Sequence, residues 1–173
     1  MNPNWEEILK DRLPFYGHRN WLVVVDSAYP AQSREGIETI VADEEQTTIL
    51  DRARAILSES RHIRATVYTD LELGLVREED APGVSSYREQ LGSLLKGYAV
   101  CSLPHEEIIT KLDRVAEQFR ILLIKSNMRI PYTSVFFELE CGYWNAEAEK
   151  RLREAMRSRG RRITARPKQR VRR

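Results

Sequence analysis

The chain has 173 residues, which fits one ordinary domain at roughly 150 residues per domain. With 42% hydrophobic and 31% charged residues, Gly 8 and Pro 7, it is neither disordered, collagenous nor low-complexity. The net charge of +2, from 28 Lys+Arg against 26 Asp+Glu, hides an uneven distribution. Residues 144–173 carry twelve Lys/Arg against three Asp/Glu, net +9, which leaves 16 against 23, net −7, in residues 1–143. Two cysteines, Cys101 and Cys141, outside any C-x-x-C motif, are no disulfide framework. No apolar run approaches the roughly 18 residues of a membrane span, and the N-terminus lacks a signal-peptide pattern, so the reading is a soluble cytoplasmic protein with no membrane contact.

In chain order, Asn4 with Glu7 three residues on predicts a capped helix carrying Trp5, Ile8, Leu9 and Leu13 on one face, closed by Pro14 and Gly17. The β-branched run Trp21–Val25 predicts a strand covered on both faces, with Asp26 the first charge after it. Thr47 or Thr48 opens a second helix with Ile49, Leu50, Ala53, Ile56 and Leu57, and Ala65–Tyr68 reads as the next strand. A polar connection over 74–86 leads into a helix with Tyr87, Leu91, Leu94 and Leu95, then a weak strand at Tyr98–Cys101. Ser102 and Pro104 introduce a helix striped with Ile108, Ile109, Leu112, Val115 and Phe119. Ile121–Ile124 and Val135–Phe137 are two further strands, separated by the turn-like segment 125–131. The alternation predicts an α/β layered fold, with a mainly parallel sheet and helices on both faces. The boundaries are 1–143 for this domain and 144–173 for a basic helix and tail. In the tail, Ala146–Ser158 forms a helix that Gly160 is placed to end, and 159–173 reads as a basic, unstructured segment.

Glycine-rich phosphate loops, nucleophile elbows and paired metal-binding histidines are missing from the sequence, and the reading requires no cofactor and no metal. Ligands collect at the carboxyl ends of strands in such sheets, which singles out Asp26. His18, Asp26 and Tyr132 each have an ordinary explanation taken singly: a loop histidine, a turn aspartate and a strand-edge tyrosine.

Their arrangement is more specific. The stretch Gly17-His18-Arg-Asn, an apolar strand, Asp26-Ser-Ala-Tyr-Pro30-Ala-Gln-Ser33 resembles the opening motif of the D-ribose pyranase and L-fucose mutarotase family, including its eight-residue step from His to Asp. Ile121–Ile124 followed by Pro131-Tyr132-Thr133-Ser134 resembles the closing strand pair with its Tyr-x-Asn motif, Ser134 standing where Asn is usual. The resemblance implies a subunit that assembles into rings, often decamers, with a monosaccharide site at the contact between neighbours. It implies a cofactor-free isomerase that interconverts ring or anomeric forms of a ribose- or fucose-like sugar. His18 then acts as proton donor, Asp26 binds sugar hydroxyls, Tyr132 contacts the substrate, and His105 and Ser134 belong to the binding set.

Imidazole suits this chemistry, because ring opening takes the proton of the anomeric hydroxyl while protonating the ring oxygen. Eight residues at roughly 3.3 Å each put His18 up to about 26 Å from Asp26 if extended. Either the 17–20 loop folds back over the strand end, or the two residues serve different sites of the ring. Two other readings compete: a non-catalytic sugar-binding or regulatory protein of the same fold, and a nucleic-acid adaptor working through the basic tail.

Overall fold

A computed structural model describes residues 4–164. The chain divides after Cys141 into two compact units, the first carrying a six-stranded sheet and its helices, the second, among the described residues, a single helix. Helix α1, Trp5–Arg12, starts with the expected capping box: the Asn4 side chain accepts from the backbone while Glu7 reaches back to the Asn4 amide. The strands are β1 (Trp21–Val25), β2 (Ile37–Val41), β3 (Ile63–Asp70), β4 (Ala99–Leu103), β5 (Ile121–Lys125) and β6 (Val135–Cys141). Between them lie helices α2 (Gln46–Glu59), α3 (Val84–Leu94) and α4 (His105–Ala116).

Strand β2 has no counterpart in the sequence reading. Helix α2 begins at Gln46, just ahead of the expected Thr47 or Thr48. The helix of the second unit, α5, spans Ala146–Thr164 and so passes through Gly160, where a stop was expected. A helical Gly costs only about 1 kcal/mol, which a run of arginines and other good helix formers on either side offsets. The expected unstructured basic segment therefore gives way to helix up to Thr164, and its remainder, 165–173, lies outside the described residues.

The sheet order is β2-β5-β1-β6-β3-β4. β1, β2 and β5 run parallel, as do β3 and β4, while β6 is antiparallel to both of its neighbours, β1 and β3. Five strands therefore point the same way and only β6 is reversed, a mainly parallel sheet. All five β1 side chains are fully buried, which explains its unbroken apolar run. Leu22 and Val24 pack with α1, α2 and α3 on one face, and Trp21, Val23 and Val25 with Ile108 and Leu112 of α4 on the other. Helices thus cover both faces. Among the described residues no helix is long and apolar enough to cross a membrane.

This topology sets what can meet. The carboxyl ends of β1 and β3 lie at one end of the sheet, and the reversed β6 enters between them at that same end. The segments preceding β1 lie at the opposite end.

Candidate functional site

The loop after β1 is fastened to the loop after β5. The Ser27 amide and hydroxyl both donate to the Met128 carbonyl, at 2.9 and 2.8 Å, and the Ser126 amide and hydroxyl donate to the Val25 carbonyl at 2.9 and 2.8 Å. Asp26 turns at the end of β1, its Oδ1 accepting from the Ala28 amide at 2.8 Å, which leaves the second carboxylate oxygen of this half-buried residue available. Tyr29 packs behind it in the core, and its burial, with Asp113, Asp70 and Asp26 nearby, raises the phenol's pKa and keeps it protonated.

On the other side, Tyr132 sits at φ 59°, a left-handed conformation that costs a non-glycine residue of order 1–3 kcal/mol. The strain is held by a buried polar cluster immediately behind it. Gln46 Nε2 and the Tyr87 hydroxyl both donate to the Thr133 carbonyl, Gln46 Nε2 also donates to the Tyr87 oxygen, and Gln46 Oε1 accepts from Ser126 at 3.0 Å. The Thr133 hydroxyl donates to the Ile130 carbonyl at 2.9 Å. Gln46 is fully buried and ties α2 to both the 126 and 133 ends of this loop.

His105 is the first residue of α4. Its backbone amide donates to both oxygens of Glu72, at 3.1 and 3.0 Å, which places a carboxylate at the positive end of that helix. Its ring is oriented by Asp70, the last residue of β3: Nδ1 lies 3.0 Å from Asp70 Oδ1. The Tyr132 ring meets the imidazole edge to face, centroids 5.7 Å apart. Asp70 is 2% exposed, and burial pushes its carboxyl above the usual range, opposed by the hydrogen bond from His105.

Asp26, Tyr29, His105 and Tyr132 line one cavity of about 410 Å³ together with Arg129 and Pro131. Concavities of comparable or larger size exist elsewhere, about 430 Å³ beside Arg61 and Tyr98 and about 630 Å³ between α2 and α3. Volume does not separate them. What separates the first is convergence of an aspartate, an imidazole with an orienting carboxylate, and a strained tyrosine at the point where strand direction changes. Among the described residues no three His, Cys, Asp or Glu side chains converge as a metal ion requires.

Three of the expected site residues, Asp26, His105 and Tyr132, are thus brought together. Ser134 is 2% exposed at the entry to β6 and does not line the cavity. His18 is exposed and lies at the opposite end of the strands, because the Arg19 amide donates to Leu139 and the Asn20 amide to Gly17, fixing the turn before β1. The 17–20 loop does not fold back over the far strand end. Asp70, Glu72 and Gln46 escaped the sequence reading. Asp70 carries the same signal as Asp26, a carboxylate closing a strand, but the strand ended at Tyr68 in that reading and hid it.

Neither family models nor curated proteins match the chain. Solved structures do. The chain is similar to Bacillus subtilis RbsD complexed with D-ribose, at TM-score 0.53 and 18% identity, over 77% of this chain and 91% of that one. It is similar to the fucose mutarotase of Streptococcus pneumoniae in complex with L-fucose, at TM-score 0.51 and 17% identity, over 77% and 91%. FucU from Bifidobacterium longum gives TM-score 0.51 and 18% identity, over 78% and 92%. At such identities the likeness establishes a shared fold.

Proposed function

We propose that this protein interconverts ring or anomeric forms of a neutral monosaccharide by acid–base ring opening and closure. The observation that carries the reading is the meeting of Asp26, His105 and Tyr132 in one cavity, in a fold shared with proteins described as a ribose complex and a fucose mutarotase. In this reading Asp26 accepts hydrogen bonds from sugar hydroxyls and the Tyr132 ring covers the sugar's C–H face. His105 takes the proton of the anomeric hydroxyl while a second group protonates the ring oxygen. Rotation about C1–C2 and reclosure, with both protons returned, give the other form. Asp26 lines the cavity and Asp70 and Glu72 hold His105, three carboxylates against the one cation among the described lining residues, Arg129, a balance that favours an uncharged sugar over a sugar phosphate.

The second proton-transfer group is His18 of a neighbouring copy. Within one subunit the five residues of β1, about 17 Å at 3.3 Å each, stand between His18 and Asp26. A head-to-tail contact between copies brings the His18 end of one to the cavity of the next, and such heterologous contacts close into rings. Exposed apolar side chains at both ends support this: Phe15, 84% exposed, beside the His18 turn, and Leu71 and Leu75 flanking Glu72.

Saturation-transfer NMR on a panel of aldoses tests the reading. Exchange between ring forms accelerates with the protein for at least one sugar, and His18→Ala reduces the acceleration by about 10²-fold or more. Sugar binding without acceleration favours the non-catalytic reading, and no effect on any sugar overturns both.

A further inference from the structure

We infer that Asp70 is a positioning residue that holds the His105 imidazole as its Nδ1–H tautomer, leaving Nε2 unprotonated for the cavity. The inference rests on the role proposed above for His105. Asp70 Oδ1 lies 3.0 Å from Nδ1, so the ring nitrogen on that side donates and the other is left as the base. Nε2 makes no hydrogen bond among the described residues, and His105 itself lines the cavity. A second contact fixes the same residue from its backbone, since Glu72 accepts the His105 amide with both oxygens. His105 is therefore held at its main chain by one carboxylate and at its ring by another, with the Tyr132 ring packed roughly perpendicular to the imidazole.

A structural role alone explains Asp70 poorly. Its side chain is fully buried, and its second oxygen, Oδ2, has no hydrogen-bond partner among the described residues. A buried carboxylate with so little compensation weakens a fold, where an amide or an apolar residue of similar size would not. It stands at the end of β3 directly beside Leu103, two residues before His105, so strand pairing alone delivers the carboxylate to the imidazole. The adjacent parallel strands β3 and β4 thus place an orienting group and an oriented group next to each other, with no dependence on a flexible loop.

The experiment compares wild type with Asp70→Asn, using ¹⁵N-histidine-labelled protein at about pH 8, where an ordinary imidazole is neutral. Of the three histidines, His105 is identified by loss of its signals in His105→Ala. His62 is an internal reference of the opposite tautomer, because its Nε2 faces the Leu13 and Tyr16 carbonyls at 3.3 and 2.9 Å. Wild-type His105 shows a protonated Nδ1 and a bare Nε2. In Asp70→Asn, whose amide donates to Nδ1, the signals move toward the Nε2–H form. With an accepted sugar, the maximal exchange rate of Asp70→Asn falls by about 10²-fold while the half-saturating concentration stays the same. A wild-type His105 that carries its proton on Nε2, or an Asp70→Asn protein with unchanged tautomer and rate, overturns the inference. If wild type shows the Nδ1–H form but accelerates no sugar, the positioning stands and the sugar-isomerase reading falls. Should Asp70→Asn fail to fold, Asp70→Glu, which keeps the acceptor but displaces it, is expected to retain the tautomer and lose rate.

Discussion

Two aspartates end parallel strands on either side of β6, and their surroundings separate their roles. Asp26 is half exposed and has one oxygen engaged by the Ala28 amide, so its other oxygen can meet hydroxyl groups. Asp70 is buried, and burial raises its carboxyl pKa from the ordinary 3.8. A raised folded-state pKa means that the folded form holds the proton more tightly, so stability is greatest below the unfolded value and is lost as pH rises through the folded one. Replacing Asp70 with Asn removes that loss. Asp70→Asn is expected to melt above wild type at neutral pH, with the difference closing below about pH 3.8. Thermal unfolding followed by circular dichroism across pH 3 to 8 reads this; a variant less stable than wild type at neutral pH would show that the carboxylate stabilises the fold instead. Gain of stability with loss of exchange in one substitution is the signature of a residue retained for function.

Asp26 was legible in the sequence because a single charge followed five unbroken apolar residues. Asp70 was not, because Thr69 precedes it and β3 reads as a mixed strand, with exposed Arg64 beside buried Val67. Partial exposure of a strand blurs its end, and the end is where the chemistry sits.

At the scale of elements, the cavity depends on one side chain that belongs to none of its walls. Gln46 lies in the first turn of α2 and bonds to the Thr133 carbonyl, Tyr87 and Ser126, tying the 126–133 loop to the helix layer. That loop carries Tyr132 in its left-handed conformation. Gln46→Ala strips one hydrogen bond each from the Thr133 carbonyl, Tyr87 and Ser126, which keep at least one other partner apiece, and is expected to cost about 2 kcal/mol of stability, read by denaturant unfolding. It also lets Tyr132 relax, so sugar affinity falls more than stability alone explains. Unchanged unfolding would show that the cluster does not hold the loop. Most helices and strands were recoverable from their periodicity, since Trp21–Val25 and the stripe of α4 leave little choice. Strand β2 was not, because Ile37–Val41 is a partly exposed edge strand whose Glu38 and Thr39 interrupt its apolar residues. Its start is fixed by tertiary contact: the Ile121 amide donates to Gly36, and a Cβ on Gly36 would collide with the Ala116 and Phe119 carbonyls. Neither contact has a local sequence signal.

On the scale of the whole molecule, the reversal of β6 explains both what meets and what does not. One reversed strand among five parallel ones delivers Tyr132 to the strand ends that carry Asp26 and Asp70, and its far end, at Leu139, anchors the His18 turn at the opposite end of the sheet. The eight-residue step from His18 to Asp26 was visible in the sequence, but it runs the full length of β1, from one end of the sheet to the other. Composition carries a second large-scale feature, since residues 1–143 are net −7 and residues 144–173 net +9. In the second unit α5 leaves Leu152 and Met156 exposed, together with most of its charged side chains.

A site shared between copies makes a prediction that no single-subunit site makes. In the proposed ring, His18→Ala and His105→Ala damage opposite halves of each shared site, so a ring assembled from both variants contains some contacts with neither lesion. The decisive measurement is saturation-transfer NMR on an accepted sugar, first with each variant alone and then with the two unfolded and refolded together in equal amounts. Each variant alone keeps about a hundredth or less of the wild-type acceleration, and the mixed rings rise well above that level. Mixed rings as inactive as the separate variants would contradict a sugar-isomerase site built by one copy's His18 and its neighbour's Asp26, His105 and Tyr132.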